Sequence, residues 1–444
     1  MSAIQHIAFR ITAGVVVLAL IGGGGWAWKT LNTSRSAVAD DQVTLAEFTT
    51  DDEDAIARGN YIMRLGDCAA CHTRDAGEFA GGYQVGTPFG TLVSSNITPD
   101  PDTGIGTMTE RDFFNAMRHG QGSKGMLYPA MPYTDYAKLT DQDMHDLWAY
   151  MSTLTPISHN VDEDAGMSFP FNIRLAMAGW NALFFDNSGF TPDDTQSPQW
   201  NRGAYIVEGP GHCSACHTPR NALGGEIASR HMQGAVVDGW FAPEITSNPH
   251  VGLGDTPTED VARYLKTGSD GVAFAAGPMA EAVEDSTQYM TQDDLLAVAQ
   301  YLKSLPGSPA VAPAPIPASD TAMQAAAQSY EVNCSACHGL SGEGIKALAP
   351  GFAGNHALLS ENATNPIRAV LVGARAAHSH MLPTGAGMPS FAWKMDDQDI
   401  ADVLNYIRNS WGNAAEPIGA AQVSEARATL GARDKIIWSE APSR

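Results

Sequence analysis

The chain has 444 residues, 49 acidic against 26 basic side chains, and a net charge of −23. That balance excludes a nucleic-acid partner, because phosphate binding needs clustered Lys and Arg, and leaves an acidic, soluble surface. At roughly 100–200 residues per domain the length predicts about three domains, and an apolar fraction of 44% is ordinary for globular ones.

Ile11 to Trp28 is an uncharged run flanked by Arg10 and Lys29. Its 18 residues approach the ~20 that span a bilayer and exceed the usual core of a signal peptide. Ala37-Val38-Ala39 has the small-residue pattern of a signal-peptidase site but lies far downstream of the run. Residues 1–40 are therefore read as a membrane anchor or signal, the uncleaved anchor being preferred.

The first predicted domain spans residues 52–155. Asp54–Leu65 reads as a short helix leading into Cys68-Ala69-Ala70-Cys71-His72. A Cys-x-x-Cys-His pentapeptide is the attachment site of a c-type haem: two thiols spaced for thioether links, and an imidazole held beneath the iron. The pattern returns as Cys213-Ser214-Ala215-Cys216-His217 and as Cys334-Ser335-Ala336-Cys337-His338. A Cys-x-x-Cys pair alone is also half a zinc site or a redox dithiol. Zinc needs four ligands, so two pairs would combine and strand the third; a dithiol needs no following His, yet all three pairs have one. All six cysteines lie in the motifs, leaving none for structural disulfides. The sequence thus predicts three covalently bound haem c groups. Such attachment occurs outside the bacterial inner membrane, which predicts its periplasmic face as the location.

Beyond the first motif, Gly77 to Gly90 is a Gly-rich loop without periodicity, and Ser95–Asp100 is a turn cluster. Thr109–His119 reads as a helix with Thr109 as N-cap, and Thr140 caps another through Met151. Between them the loop from Gly125 to Tyr133 carries Met131 between Pro129 and Pro132. A thioether sulfur there would complete the iron's coordination and raise its potential. Met126, Met108 and Met117 are its rivals.

Residues 156–198 connect to the second domain. Asn172–Phe185 reads as a helix with Ile173, Met177, Trp180 and Phe184 on one stripe. The simpler expectation is a packing helix between the first two haem domains; docking of a partner, a quinone or the membrane surface is the alternative. The second domain spans 199–306, a Pro/Ala linker 307–320, and the third domain 321–412. The tail 413–444 is polar and carries no haem motif.

Comparison of the three segments shows an internal repeat. Ala57–Ile62 parallels Asn201–Ile206, and Gly104–Asp112 parallels Gly252–Asp260. The closing helices open on Thr140–Asp143, Thr291–Asp294 and Asp396–Asp399, and within them Leu147–Tyr150 parallels Val298–Tyr301 and Val403–Tyr406. In this frame Met131, Met279 and Met388 stand 59, 62 and 50 residues after His72, His217 and His338, each beside a proline. They are the predicted axial partners of those histidines. Met290, Met381 and Met395 fit the frame less well, and His212, His378 and His380 are the rival imidazoles. Gly59 and Gly203 would let the entry helix cross close to the closing helix; in the third domain Ala326-Ala327 stands there instead. The predicted fold is mainly α: three tandem cytochrome c-like haem domains with long loops, plus the N-terminal transmembrane helix or signal segment.

From about residue 55 to 412 the chain resembles the triple-haem cytochrome c subunit of bacterial membrane-bound dehydrogenases acting on alcohols, gluconate, sorbitol or aldehydes. The resemblance rests on Gly66–Thr73, Ser95–Asp100, Tyr128–Tyr133 and Gly209–Arg220. It implies an electron-transfer chain with no substrate-oxidising site of its own. Its partners would be a separate catalytic subunit of molybdenum, PQQ or flavin type, ubiquinone as acceptor, the membrane, and, as a further candidate, a small third subunit. Arg220–Gly225 is more similar to subunits paired with molybdenum-type aldehyde dehydrogenases than to those of alcohol dehydrogenases. Many relatives attach through a C-terminal segment, whereas here the N-terminal run is the candidate anchor. The alternatives are a stand-alone periplasmic multihaem carrier and a multihaem peroxidase, the latter needing an open iron position that the three methionines would close.

Overall fold

The computed structural model describes residues 52–437. The candidate anchor Ile11–Trp28 and the Ala37–Ala39 site lie outside the described residues. Among the described residues no helix is long and apolar enough to cross a membrane. The protein is mainly α, with sixteen α-helices and four small antiparallel sheets among the described residues.

The chain parts into two compact units. One takes the described residues through Asn60 together with Ala76–Phe190; the other takes Tyr61–Asp75 together with the described residues from Thr191 on.

The same three-helix frame is built more than once. Each entry helix packs on a closing helix: Glu53–Leu65 with Asp141–Met151, Pro198–Glu208 with Gln292–Ser304, and Thr321–Asn333 with Asp397–Arg408. At the first two crossings the backbones nearly touch. A Cβ on Gly59 would run into the Asp146 carbonyl, and one on Gly203 into the Ala297 carbonyl. In the third, Ala326 is buried at the corresponding place. An ion pair ties each of the first two crossings: Arg58 to Asp146 at 2.7 Å and Arg202 to Asp294 at 2.8 Å.

Side-chain caps start the closing helices where the sequence places them. Thr140 Oγ1 accepts from the Asp143 N–H, Thr291 from Asp294, and the Asp396 carboxylate from Asp399. Each satisfies a backbone donor that the helix itself cannot, which stabilises the start by about 1 kcal/mol. Thr109 and Asp112 form a reciprocal capping box at the helix Glu110–His119.

The repeat extends to single backbone bonds. Ile105 N–H donates to Thr98 O and Leu253 N–H to Thr246 O; Gly106 donates to Asp100 and Gly254 to Asn248. The helices Glu110–His119 and Thr258–Thr267 both end at a left-handed glycine, Gly120 (φ 61°) and Gly268 (φ 84°). Seven residues on, Leu127 donates to Gly120 O and Ala275 to Gly268 O. The helix Thr364–Val372 likewise ends at Gly373, with φ 82°.

The region read as a Gly-rich loop contains a hairpin, Gln84–Thr87 with Gly90–Val93, whose second strand also pairs with Gly166–Met167. Ala235–Val237 and Trp240–Ala242 form its counterpart. Strands of two to four residues carry too little alternation to be seen in sequence. The polar tail contains a helix, Ala420–Ile437, that buries Val423 and Leu430 in a core shared with the helices Thr364–Val372 and Asp397–Arg408. Arg427 pins it by donating to Asp397 and to the Ala392 and Met395 carbonyls.

Candidate haem-binding sites

Each Cys-x-x-Cys-His stretch folds as a single helical turn: Cys68–His72, Ser214–His217 and Ser335–His338. The bonds closing these turns include His217 N–H to Cys213 O and His338 N–H to Cys334 O, both 3.0 Å. A helical turn places positions i, i+3 and i+4 on one face, so both thiols and the imidazole share a side. In the first two motifs the turn is entered through a left-handed residue, Asp67 (φ 50°) and His212 (φ 36°).

The thiols fit thioether formation and not zinc. All six are free of disulfides, and no group of three or more His, Cys, Asp or Glu among the described residues could hold a metal ion. Burial pushes Cys68 and Cys71 up to about 12 and Cys334 to about 11.

The imidazoles are oriented for iron. His217 Nδ1–H donates to the Pro243 carbonyl at 2.6 Å, and His338 Nδ1–H to the Pro350 carbonyl at 2.9 Å. A proton held on Nδ1 leaves the Nε2 lone pair as the ligand, and such an outer bond makes it a better one. Burial lowers the pKa of both rings and keeps them neutral, as ligation requires. Phe352 stacks on His338, ring centroids 4.2 Å apart. Sequence reasoning missed Pro243, Pro350 and Phe352: they follow their histidines by 26, 12 and 14 residues, and a backbone carbonyl carries no residue-type signal. His72 is half-buried in the first turn.

The methionine candidates divide by burial. Met131, Met279 and Met388 are half-buried, as is Met108, whereas Met117, Met126, Met290 and Met395 are enclosed in cores. Met131 follows Tyr128, to whose carbonyl its N–H donates at 3.0 Å. Met279 stands in the first turn of a helix, Pro278–Asp285, with Pro278 at its N-terminus. Met388 lies in the two-residue pairing of Gly387–Met388 with Ala374–Arg375. Met131 and Met279 each come eleven residues after the left-handed glycine of the preceding helix, and Met388 fifteen after its own. Met381 is exposed. Of the rival imidazoles, His212 donates from Nε2 to the Gly66 carbonyl at 3.3 Å, while His378 and His380 are exposed.

Within the second unit the first motif meets the second repeat. Tyr61 OH donates to Asp294 at 2.7 Å, and the Arg64 guanidinium lies 4.1 Å over the Tyr289 ring. The helix Pro278–Asp285 packs against the turn Cys68–His72.

A single-turn helix with two thiols and a Nδ1-anchored, neutral imidazole on one face defines a c-type cytochrome. A family model for cytochrome c matches residues 56–155 and 323–411. The chain is 38% identical over 423 residues, 90% of each chain, to the cytochrome c subunit of an alcohol dehydrogenase (quinone) of Gluconacetobacter polyoxogenes. It is 39% identical to the gluconate 2-dehydrogenase cytochrome c subunit of Pantoea cypripedii, covering 86% of this chain and 90% of that one. With the fructose dehydrogenase cytochrome subunit of Gluconobacter japonicus it shares 37% identity over 84% and 83%. The chain belongs to this family of cytochrome c subunits of dehydrogenases, electron-transfer proteins with covalently bound haem c.

Proposed function

We propose that this chain is the triple-haem electron-transfer subunit of a dehydrogenase complex at the periplasmic face of the bacterial inner membrane. It accepts electrons from a catalytic subunit and delivers them to ubiquinone. An aldehyde is the favoured substrate of that subunit, ahead of alcohols, gluconate or sorbitol. The observation that carries the reading is the near end-to-end match to dehydrogenase cytochrome c subunits, 90% of each chain.

Three haems per chain are supported by three like turns and by the backbone repeat that joins the first and second segments. Cys68, Cys71, Cys213, Cys216, Cys334 and Cys337 would carry the thioether links. His72 with Met131, His217 with Met279, and His338 with Met388 would ligate the irons. Bound haem c supplies a one-electron couple whose coordination stays unchanged on cycling. The chain's contribution is to fix that couple. Pro243 O and Pro350 O hold the imidazoles in one tautomer, and the surrounding burial excludes water and raises the potential.

The test uses the full chain, tagged and gently extracted from membranes with whatever travels with it. Haem content per chain is measured first; a value of two instead of three sinks the count. The oxidised sample is then given ethanol, acetaldehyde, gluconate, sorbitol or fructose while the haem bands are followed. Reduction by one of them names the substrate class. Bands that respond only to dithionite, on a chain that elutes alone, would make it a stand-alone carrier.

A further inference from the structure

Phe169 to Phe185 presents an apolar surface on the first unit. The helix Ala176–Phe184 buries Ala178 and Asn181, and of the stripe expected from the sequence Met177 packs on the core of Leu92, Tyr128 and Met167 while Trp180 and Phe184 are half-buried. Other large side chains of the segment face out: Phe169 is 80% exposed, Leu175 59% and Leu183 70%, with Phe171 and Ile173 more than two-fifths exposed. A contiguous patch of this kind calls for something to cover it.

Three observations name a lipid surface. First, Arg174 is the one charged residue between Phe169 and Phe185, and it is already neutralised by Glu163 and Asp164, both at 2.9 Å. In a chain of net charge −23, such a stretch offers nothing to a charged partner.

Second, much of the backbone here is bonded within the first unit, which eases entry into an acyl phase. Phe171 N–H donates to Ser168 O, Ile173 to Pro170 O, Ala176 to Ile173 O and Phe185 to Asn181 O. Tyr128 OH donates to the Phe171 carbonyl and Tyr133 OH to Asn181 Oδ1.

Third, the membrane-length run Ile11–Trp28 leads, through 23 residues, into this unit. That stretch reaches at most about 80 Å even when fully extended, so an inserted run would hold the patch close to a bilayer.

We infer that the Phe169–Phe185 surface lies on the membrane, with Phe169, Leu175 and Leu183 entering the boundary between headgroups and acyl chains. The inference rests on the membrane-bound reading given above. Contact of this kind is driven by apolar area, not by lipid charge, and a few such side chains act together with a second anchor. Given the chain's negative charge, anionic lipid should weaken the contact.

The test uses the full holoprotein with Leu183→Cys, a free thiol in a chain whose own cysteines carry thioether links. A nitroxide is attached and the protein reconstituted into phosphatidylcholine vesicles, with Thr107→Cys, exposed on the same unit, as control. Unchanged haem spectra confirm folding. The expected result is flotation with the vesicles and an oxygen-to-nickel-chelate accessibility ratio several-fold higher at Leu183 than at Thr107, falling when phosphatidylglycerol is added. Flotation with equal ratios overturns the inference while leaving membrane residence intact. A label shielded from both reagents assigns the surface to a protein, either a second copy or the catalytic subunit, and also overturns it. Failure to float removes the membrane reading itself.

Discussion

Asp294 joins two segments of the second unit at one carboxylate. It accepts a two-pronged bond from Arg202, at 2.8 Å on each oxygen, and a third from Tyr61 OH. Burial alone would raise its pKa, but these donors outweigh burial and the pKa is lowered. A carboxylate depressed in the folded state contributes stability above its unfolded value near ~3.9, and loses it as pH falls through the lower folded value. Asp294→Asn should therefore lower stability by about 2 kcal/mol at neutral pH, with the gap to the parent closing as the pH falls below the unfolded value and through the depressed folded one. Thermal melts at neutral and acid pH check this; a pH-independent gap would mean that packing, not charge, is involved. Met279→His tests the proposed ligand. Exchanging a soft thioether for an imidazole should lower one midpoint potential by on the order of 100 mV and leave the others in place. An unchanged redox titration would make Met279 a packing residue.

At the level of elements, helix crossings and caps hold the frame. Gly203→Ala forces a methyl group onto the Ala297 carbonyl, so the helices must separate. We expect a loss of about 3 kcal/mol or more, read by denaturant unfolding, while the same change at exposed Gly419 costs little. Leu430→Ala should cost about 2–3 kcal/mol, because it empties a core position filled by the tail helix. Much of this frame was legible in the sequence. Thr109, Thr140, Thr291 and Asp396 announce helix starts through local chemistry, and Gly59 and Gly203 announce close crossings. The motif turns were legible for the same reason: thiols and imidazole need fixed spacing within five residues. What was not legible depends on contacts between distant residues. The Pro243 and Pro350 carbonyls, the hairpins near 84–93 and 235–242, and the tail helix owe their places to partners far along the chain. Leu175 and Leu183 lie off the stripe of Ile173, Met177, Trp180 and Phe184, so periodicity leaves them on the outer face without saying what covers it.

For the whole molecule, the proposed count of three has a direct check. A chain with Cys334→Ala and Cys337→Ala should retain two haems and lose about a third of its Soret absorbance. His338 and Phe352 would remain stacked over a core already closed by the helices Thr321–Asn333 and Asp397–Arg408. Loss of all absorbance would show instead that the segments fold as one cooperative body.

Tyr61 and Arg64 find their partners more than 220 positions further along, at Asp294 and Asp285. A ribosome delivers the chain from its N-terminus at roughly 5–20 residues per second, so the first motif waits for tens of seconds before its neighbours exist. Maturation therefore cannot run strictly segment by segment. A fragment ending near Phe190 would carry its first cysteine pair without the surroundings that enclose it, and would stay an easy target for proteases until the rest of the chain arrived.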